Sequence, residues 1–457
     1  MKVLLVHPGG AVGGIGTSWN YTIPITLPYL AALTPPGVHV EICYMGLSSI
    51  ERHFDIEYDL VGISVLTTYA RVAFQIADRF RSRGTKVVMG GVHATIAPDA
   101  AMEHSDSVVV GEAEELWPRV VEDAARDDLK RFYKAGGFPS LSGLPSPRFD
   151  LVATGPKAKK IFYPVLTSKG CPNRCEYCFV PELFGGTLRV RPVEEVLRDV
   201  RSIVDRMKAK RITFVDDNVI GNRRHAKALF RGMMNWGVKW CGECTLDIAD
   251  DPELLELAVR SGCVQLSVGL ESINKDSLRE AGKKCNIVEK YPMQIREIQR
   301  KKILLVANIM FGFDHDSKEV FPTTIASLIR WKVGLIAPFI LRPIVGTRLY
   351  RRLEEEGRLL PEARSDHTRV DVVTFVPRRM GPEELEKGFH EAVIRFYSLP
   401  SIARRLLFPP SPLFFQVVLI NLLVNLKIVQ WPRLKRIPLL NKLLYPVKVL
   451  LKGALSS

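Results

Sequence analysis

Apolar runs too short for helices alternate along this chain with longer stretches of helical spacing. "KVLLVHP" is an apolar run closed by Pro8 and Gly9, "LPYLAALT" has helical spacing, and "VHVEICYM" returns to a strand pattern. "DLVGISVL", the helical "TTYARVAFQIADRFRSRG" and "KVVMGGV" follow. Strand, helix and strand with Gly-rich turns predict a doubly wound (Rossmann-like) parallel sheet over residues 1–126. Such sheets take ligands at the carboxyl ends of their strands. From 127 to 160 Gly, Pro and Ser interrupt both periods, which predicts a linker.

The alternation resumes over 161–350. "FYPVLTS", "RITFVDD", "KWCGECTLD", "VQLSVGLES", "LLVANIMFGF" and "LIAPFILRPI" read as strands, with helical stretches such as "VEEVLRDVRSIVDRMKAK" and "DPELLELAVRSG" between them. Six beta-alpha units predict an incomplete barrel whose site lies at the strand carboxyl ends. Residues 351–457 read as a mainly helical, basic C-terminal region, and no repeat of fixed period is visible.

Composition narrows the class. The 457 residues are 47% hydrophobic and 25% charged, globular values that exclude extended disorder. "MKVLLVHPGG" is too short for the apolar core of a secretory signal, so a cytoplasmic location with reduced thiols is expected. The net charge is +15, and residues 401–457 contribute nine Lys or Arg with no Asp or Glu. The same segment holds "LFFQVVLINLLVNL" from Leu413 to Leu426, fourteen residues broken by Gln416, Asn421 and Asn425, too short to span a bilayer comfortably. Interleaved with Arg433, Lys435, Arg436, Lys442 and Lys448, it suits either a peripheral site on an anionic membrane face or a basic helical cap on the protein. No nucleic-acid partner is expected.

The chemistry concentrates in "TSKGCPNRCEYCFV", which places three of eight cysteines, Cys171, Cys175 and Cys178, on one short loop. That spacing is too tight for disulfides. A structural zinc would need a fourth ligand at matching spacing, which Cys241 and Cys244 do not convincingly supply. Three thiolates can instead hold three irons of a 4Fe-4S cubane and leave the fourth open to a chelating cofactor.

"CPNRCEYC" resembles the signature of the radical S-adenosylmethionine (SAM) enzymes. The resemblance implies that the three cysteines ligate a cluster that reductively cleaves SAM to a 5'-deoxyadenosyl radical, fed by a reductase or a flavodoxin or ferredoxin donor. It implies that Tyr177 packs the adenine. "FVDDN" falls where that family binds the amino group of SAM, usually through Gly-Gly-Glu, so Asp216 and Asp217 are a departure with a plausible replacement chemistry. Glu271 of "VGLES" falls where the ribose is contacted, and "NIMFGF", with Asn308, and "LRPIVGT" resemble the fifth and sixth strand motifs.

The first domain resembles cobalamin-binding domains through Ser64 and Leu66 of "ISVLTTY", Gly90 and Gly91 of "VVMGGVHAT", and Gly111 of "VVVGEAEE". In that family these turns accommodate the nucleotide tail and corrin. "HPGGAVGGIG" stands where Asp-x-His-x-x-Gly is missing, so no histidine of that kind would ligate cobalt, and His7 and His93 are weaker candidates. A dinucleotide loop at "GGAVGGIG" misses the glycine spacing of G-x-G-x-x-G. Together the halves resemble the cobalamin-dependent radical SAM methylases. The expected function is methyl transfer from methylcobalamin to an unactivated carbon of a hydrophobic small molecule (lipid, isoprenoid or pigment) or of a natural product. The alternatives are a radical rearranging or carbon-coupling enzyme with an empty first domain, and a non-catalytic iron-sulfur or cobalamin sensor. A methylthiotransferase would need three further cysteines in a first domain that holds only Cys43.

Overall fold

The computed structural model describes residues 1–9, 21–45, 47–152, 161–364, 371–406 and 414–426. The glycine-rich loop after Gly9 and the basic residues from Arg433 to Lys448 therefore lie outside the described residues. Fifteen strands are described: β1 (Lys2–His7), β2 (Tyr21–Thr22), β3 (His39–Tyr44), β4 (Leu60–Ser64), β5 (Lys86–Gly90), β6 (Ser107–Val110), β7 (Phe132–Lys134), β8 (Ile161–Val165), β9 (Ser168–Lys169), β10 (Arg189–Val190), β11 (Arg211–Phe214), β12 (Lys239–Cys244), β13 (Cys263–Glu271), β14 (Leu304–Phe311) and β15 (Leu335–Ile340).

The first sheet runs β3-β1-β4-β5-β6-β7 with every pairing parallel. Val3 to Val6 of β1 are fully buried, because helices cover both faces of a parallel sheet, and that is why the strand reads as an unbroken apolar run. The strand order reverses between β1, β3 and β4, which puts the switch point at the ends carrying His7 and Ser64.

The second sheet runs β15-β14-β13-β12-β11-β8-β2, again parallel, and contains all six strands expected for the incomplete barrel. The seventh strand, β2, comes from the amino-terminal part of the chain and pairs Tyr21 with Ile161. Two residues between turn formers carry no readable period, so pattern alone misses it.

The expected linker is not free of structure. Tyr133 of β7 is buried and its hydroxyl donates to Asp123 at 2.8 Å, closing the first sheet at the β6 edge. Leu141 and Leu144 are buried against Tyr29 and Leu166, joining the two halves. The density of Gly and Pro hides both features in the sequence.

The C-terminal helices Pro382–Phe396, Leu399–Leu406 and Phe414–Asn425 pack on the β15 side of the barrel. Asn421 and Asn425, which read as polar breaks in an apolar run, face inward. Arg405, 1% exposed, donates to the carbonyls of Val333, Gly334 and Phe396 and to Asn421 Oδ1, and the Asn425 amide donates to the Tyr397 carbonyl. The outward face carries Leu419, Leu422 and Leu426, and Phe415 is 85% exposed. Among the described residues no helix is long and apolar enough to cross a membrane.

Candidate functional site

The cysteine loop follows β8 and is entered through the β9–β10 ribbon, in which Lys169 pairs with Arg189. Gly170 has φ +88, and a Cβ there would meet the Thr187 carbonyl oxygen at 2.0 Å, so only glycine lets the chain turn into the loop. Within it the Cys178 N–H donates to the Cys175 carbonyl and the Asn173 amide lies 3.6 Å from Cys171 Sγ. The three thiols are free; burial raises the Cys175 thiol and pushes Cys178 up to about 12, and the neighbouring thiols add to both.

Helix Arg348–Glu355 clamps this loop. Leu349 N–H donates to the Glu176 carbonyl, Arg352 Nε to Glu176 Oε1 at 2.6 Å, and Arg348 to the Arg174 carbonyl. Among the described residues no three His, Cys, Asp or Glu side chains converge as ligands of one metal ion, at this loop or elsewhere. A cubane asks less convergence, because each thiolate takes a different iron. Cys241 and Cys244 sit three residues apart on β12, where alternation sends them to opposite faces.

The structure separates Asp216 from Asp217. Asp216 is 2% exposed and accepts from Thr167 N–H, Thr167 Oγ1 and Ser168 Oγ at 2.6–3.1 Å; burial raises its pKa to about 6 against those bonds. It ties the end of β11 to the entry of the cysteine loop, leaving its partner as the more open carboxylate. Asp217 accepts from the Gly170 N–H at 3.2 Å and raises the pKa of Glu243.

Glu243 is one of two residues that the sequence reading missed. It lies at the carboxyl end of β12 with its side chain exposed, near the carboxylates of Asp217 and Glu271. Burial, then the charges of Asp217 and Glu271, push its carboxyl up to about 7. Its signal was available: an acid inside the otherwise apolar "KWCGEC" strand, on the face of the pleat shared with Cys241. The other is Lys283, whose ammonium donates to Glu271 Oε1 at 3.1 Å; burial works against its charge, but Glu271, Cys175 and Cys285 together outweigh it and raise the pKa. In "AGKKC" it reads as a loop lysine, and nothing local marks it.

Glu271 has φ +61, a strained conformation for a side-chain-bearing residue. Asn286 holds the turn by donating to the Gly269 and Leu270 carbonyls at 2.8 Å. Asn308 sits on the neighbouring β14 with its Oδ1 3.3 Å from Ser267 Oγ. The Tyr177 ring packs edge-on to Phe313, with centroids 6.1 Å apart. Asp217, Glu243, Glu271 and Lys283 thus stand at the barrel mouth beside the cysteine loop, a donor set suited to an ammonium, hydroxyls and a carboxylate, which fits SAM.

In the first sheet Ser64, Gly90 and Gly111 fall at the carboxyl ends of adjacent strands, with Leu66 and Gly91 just beyond. The Thr95 hydroxyl links them, donating to the Gly91 carbonyl and accepting from the Gly111 N–H. Gly91 has φ +92, and a Cβ would lie 3.0 Å from the Val65 backbone, so protein packing already explains that glycine. The stronger sign of a ligand is His7 at the end of β1: it is 1% exposed, its Nδ1 is 3.3 Å from the Gly9 carbonyl oxygen, and its Nε2 is buried without a partner among the described residues. A polar group at the switch point fits a cofactor seated there.

Comparison with known proteins identifies two domain families in the chain. The radical SAM superfamily model matches residues 165–328, the B12 binding domain model residues 13–121, and a domain of unknown function residues 347–407. Bacteriochlorophyllide d C-12(1)-methyltransferase of Chlorobaculum tepidum is 29% identical over 412 residues, covering 89% of both chains. Hopanoid C-2 methylase of Rhodopseudomonas palustris is 26% identical, covering 88% of this chain and 78% of its own. The solved structure of the cobalamin-dependent S-adenosylmethionine radical enzyme OxsB, with aqua-cobalamin and S-adenosylmethionine bound, shares the fold with a TM-score of 0.69 at 15% identity, over 93% of this chain and 71% of that one. The chain therefore joins a B12-binding domain to a radical SAM domain and is homologous to the cobalamin-dependent radical SAM methyltransferases.

Proposed function

We propose that this protein methylates a carbon atom of a hydrophobic, pigment- or lipid-like molecule. The observation that carries the reading is the direct tie between the two cofactor regions: Glu112, next to Gly111 at the end of β6, accepts from Lys169 and Arg189 of the ribbon that leads to Cys171. The cluster with SAM supplies hydrogen-atom abstraction, and cobalamin supplies the methyl group. The protein's part is to bind and orient. Cys171, Cys175 and Cys178 hold the cluster; Asp217 and Glu243 take the ammonium and hydroxyls of SAM, the Glu271–Lys283 pair its ribose and carboxylate, and Tyr177 and Phe313 its adenine. Asn308 borders this space from β14. Ser64, Leu66, Gly90, Gly91 and Gly111 frame the corrinoid tail, with His7 as an added donor or acceptor.

The hydrophobic substrate class is supported by the names of the relatives, which act on bacteriochlorophyllide d and on hopanoids, and by the outward apolar side chains of helix Phe414–Asn425. That face, followed in sequence by a segment rich in Lys and Arg, suits the surface of an anionic membrane. An acidic electron carrier of the flavodoxin or ferredoxin kind completes the partners. The test is anaerobic incubation of the reconstituted protein with methyl-labelled SAM and pigment or lipid extracts. Label carried on carbon of an extracted molecule supports methylation; deoxyadenosine formation with a rearranged or coupled product and no transferred label refutes it.

A further inference from the structure

His7 ends β1, the strand from which the first sheet extends to both sides; it pairs with Tyr44 on β3 and is flanked by the Ser64 end of β4. The imidazole is enclosed, with the rings of Tyr44 and Tyr69 each centred 6.0 Å away. The Tyr44 hydroxyl donates elsewhere, to the Pro24 carbonyl. Two residues on, the backbone of Gly9 closes on His7 Nδ1: its N–H donates to that nitrogen at 3.2 Å, and its carbonyl oxygen lies 3.3 Å away. A Cβ at Gly9 would lie 2.2 Å from the Tyr69 ring, so the approach requires glycine. A backbone N–H always carries its hydrogen, so Nδ1 accepts, and a neutral imidazole then holds its own hydrogen on Nε2. Burial lowers the His7 pKa and favours that neutral form. Nε2–H is therefore a buried donor with no acceptor among the described residues, a state that folded proteins rarely leave uncompensated.

We infer that His7 Nε2–H donates a hydrogen bond to an oxygen of the bound corrinoid, either an amide carbonyl of the ring or the phosphate of the tail, and so positions that cofactor. The inference rests on the first domain being loaded with a corrinoid. An unmatched donor stands at the switch point of a doubly wound sheet, where such sheets take their ligands. A nitrogen that carries hydrogen has no lone pair in the ring plane, so His7 does not ligate cobalt while the Gly9 bond stands. Its part is to fix the corrinoid against the end of β1.

The test titrates hydroxocobalamin, and separately cobinamide, which lacks the nucleotide tail, into the full-length protein and follows binding by absorbance. His7→Leu removes the donor, and His7→Gln keeps an amide N–H near the Nε2 position. His7→Leu should bind hydroxocobalamin roughly tenfold more weakly than wild type, and His7→Gln should recover most of that loss. The same loss with cobinamide places the acceptor on a ring amide; a loss with cobalamin alone places it on the tail. A second measurement needs no variant: the cob(II)alamin-loaded wild type should give the same electron paramagnetic resonance spectrum with unlabelled and nitrogen-15-labelled histidine. Equal cobalamin affinity in all three proteins, equal losses in the two variants, or a splitting that changes with the histidine label overturns the inference. A wild type that takes up no corrinoid refutes the cobalamin reading, and this inference with it.

Discussion

The Glu112 carboxylate receives the Lys169 ammonium at 2.9 Å across the boundary between the two sheets. Both side chains are largely buried, and Arg189 contacts the other oxygen of the same carboxylate. The end of a strand in the B12-binding domain is thereby fixed to the residue that precedes Gly170 and Cys171. This buried ion-pair network joins the two cofactor regions directly, beside the apolar contacts of Leu141 and Leu144 and the β2–β8 pairing.

Glu112→Ala leaves Arg189 with no carboxylate and Lys169 with only Glu114. Removing one partner of a buried pair costs about 3 kcal/mol. Urea unfolding followed by far-UV dichroism should show that loss, and Glu112→Gln, which keeps the volume and one acceptor oxygen, should lose less. Unchanged unfolding curves for both variants would mean that the network does not join the domains.

Replacing Cys171, Cys175 or Cys178 singly by Ala should abolish bound iron and sulfide after reconstitution. Cys241→Ala and Cys244→Ala should retain both, since those thiols face opposite sides of β12. Iron retained without any one of the first three would contradict the assignment.

Glu243 makes a pH prediction. Its folded-state pKa of about 7 lies above the usual 4.5, so the folded protein holds a proton that the unfolded chain has lost. Stability therefore falls as pH rises from about 4.5 to about 7, and above that the ionised carboxylate opposes folding throughout. At about 1.4 kcal/mol per pH unit the full shift corresponds to about 3.5 kcal/mol, and solvent screening of this exposed side chain reduces it to about 1 kcal/mol. Glu243→Gln should raise the apo-protein's Tm at pH 8 and leave it nearly unchanged at pH 4.5. An equal effect at both values would show that ionisation is not the cause.

Parallel strands buried on both faces announce themselves as apolar runs, which is why β1, β4, β5 and the six barrel strands were legible. The cysteine loop was legible because its spacing is local. Lys283 was not, because its role depends on Glu271 across a turn, and Asp216 read like Asp217 until the hydroxyls of Thr167 and Ser168 claimed it. Asn421 and Asn425 read as interruptions of an apolar helix for a similar reason: their partners, Arg405 and Tyr397, are distant in sequence.

The outward face of helix Phe414–Asn425 can be tested without disturbing its buried side. Leu419 and Leu422 are 48% and 37% exposed, so Leu419→Ser/Leu422→Ser should leave the fold intact. Losing their burial in lipid should weaken binding to phosphatidylglycerol vesicles by about 1–2 kcal/mol, roughly tenfold in co-sedimentation affinity. Equal sedimentation of variant and wild type would remove this face from membrane contact.

Methyl transfer through cobalamin is tested most directly by the corrinoid content of the protein purified anaerobically from cobalamin-supplied cells, measured by absorbance after cyanide treatment. The expected result is about one corrinoid per polypeptide alongside one cluster. A protein that carries the cluster and no corrinoid would contradict methyl transfer through cobalamin.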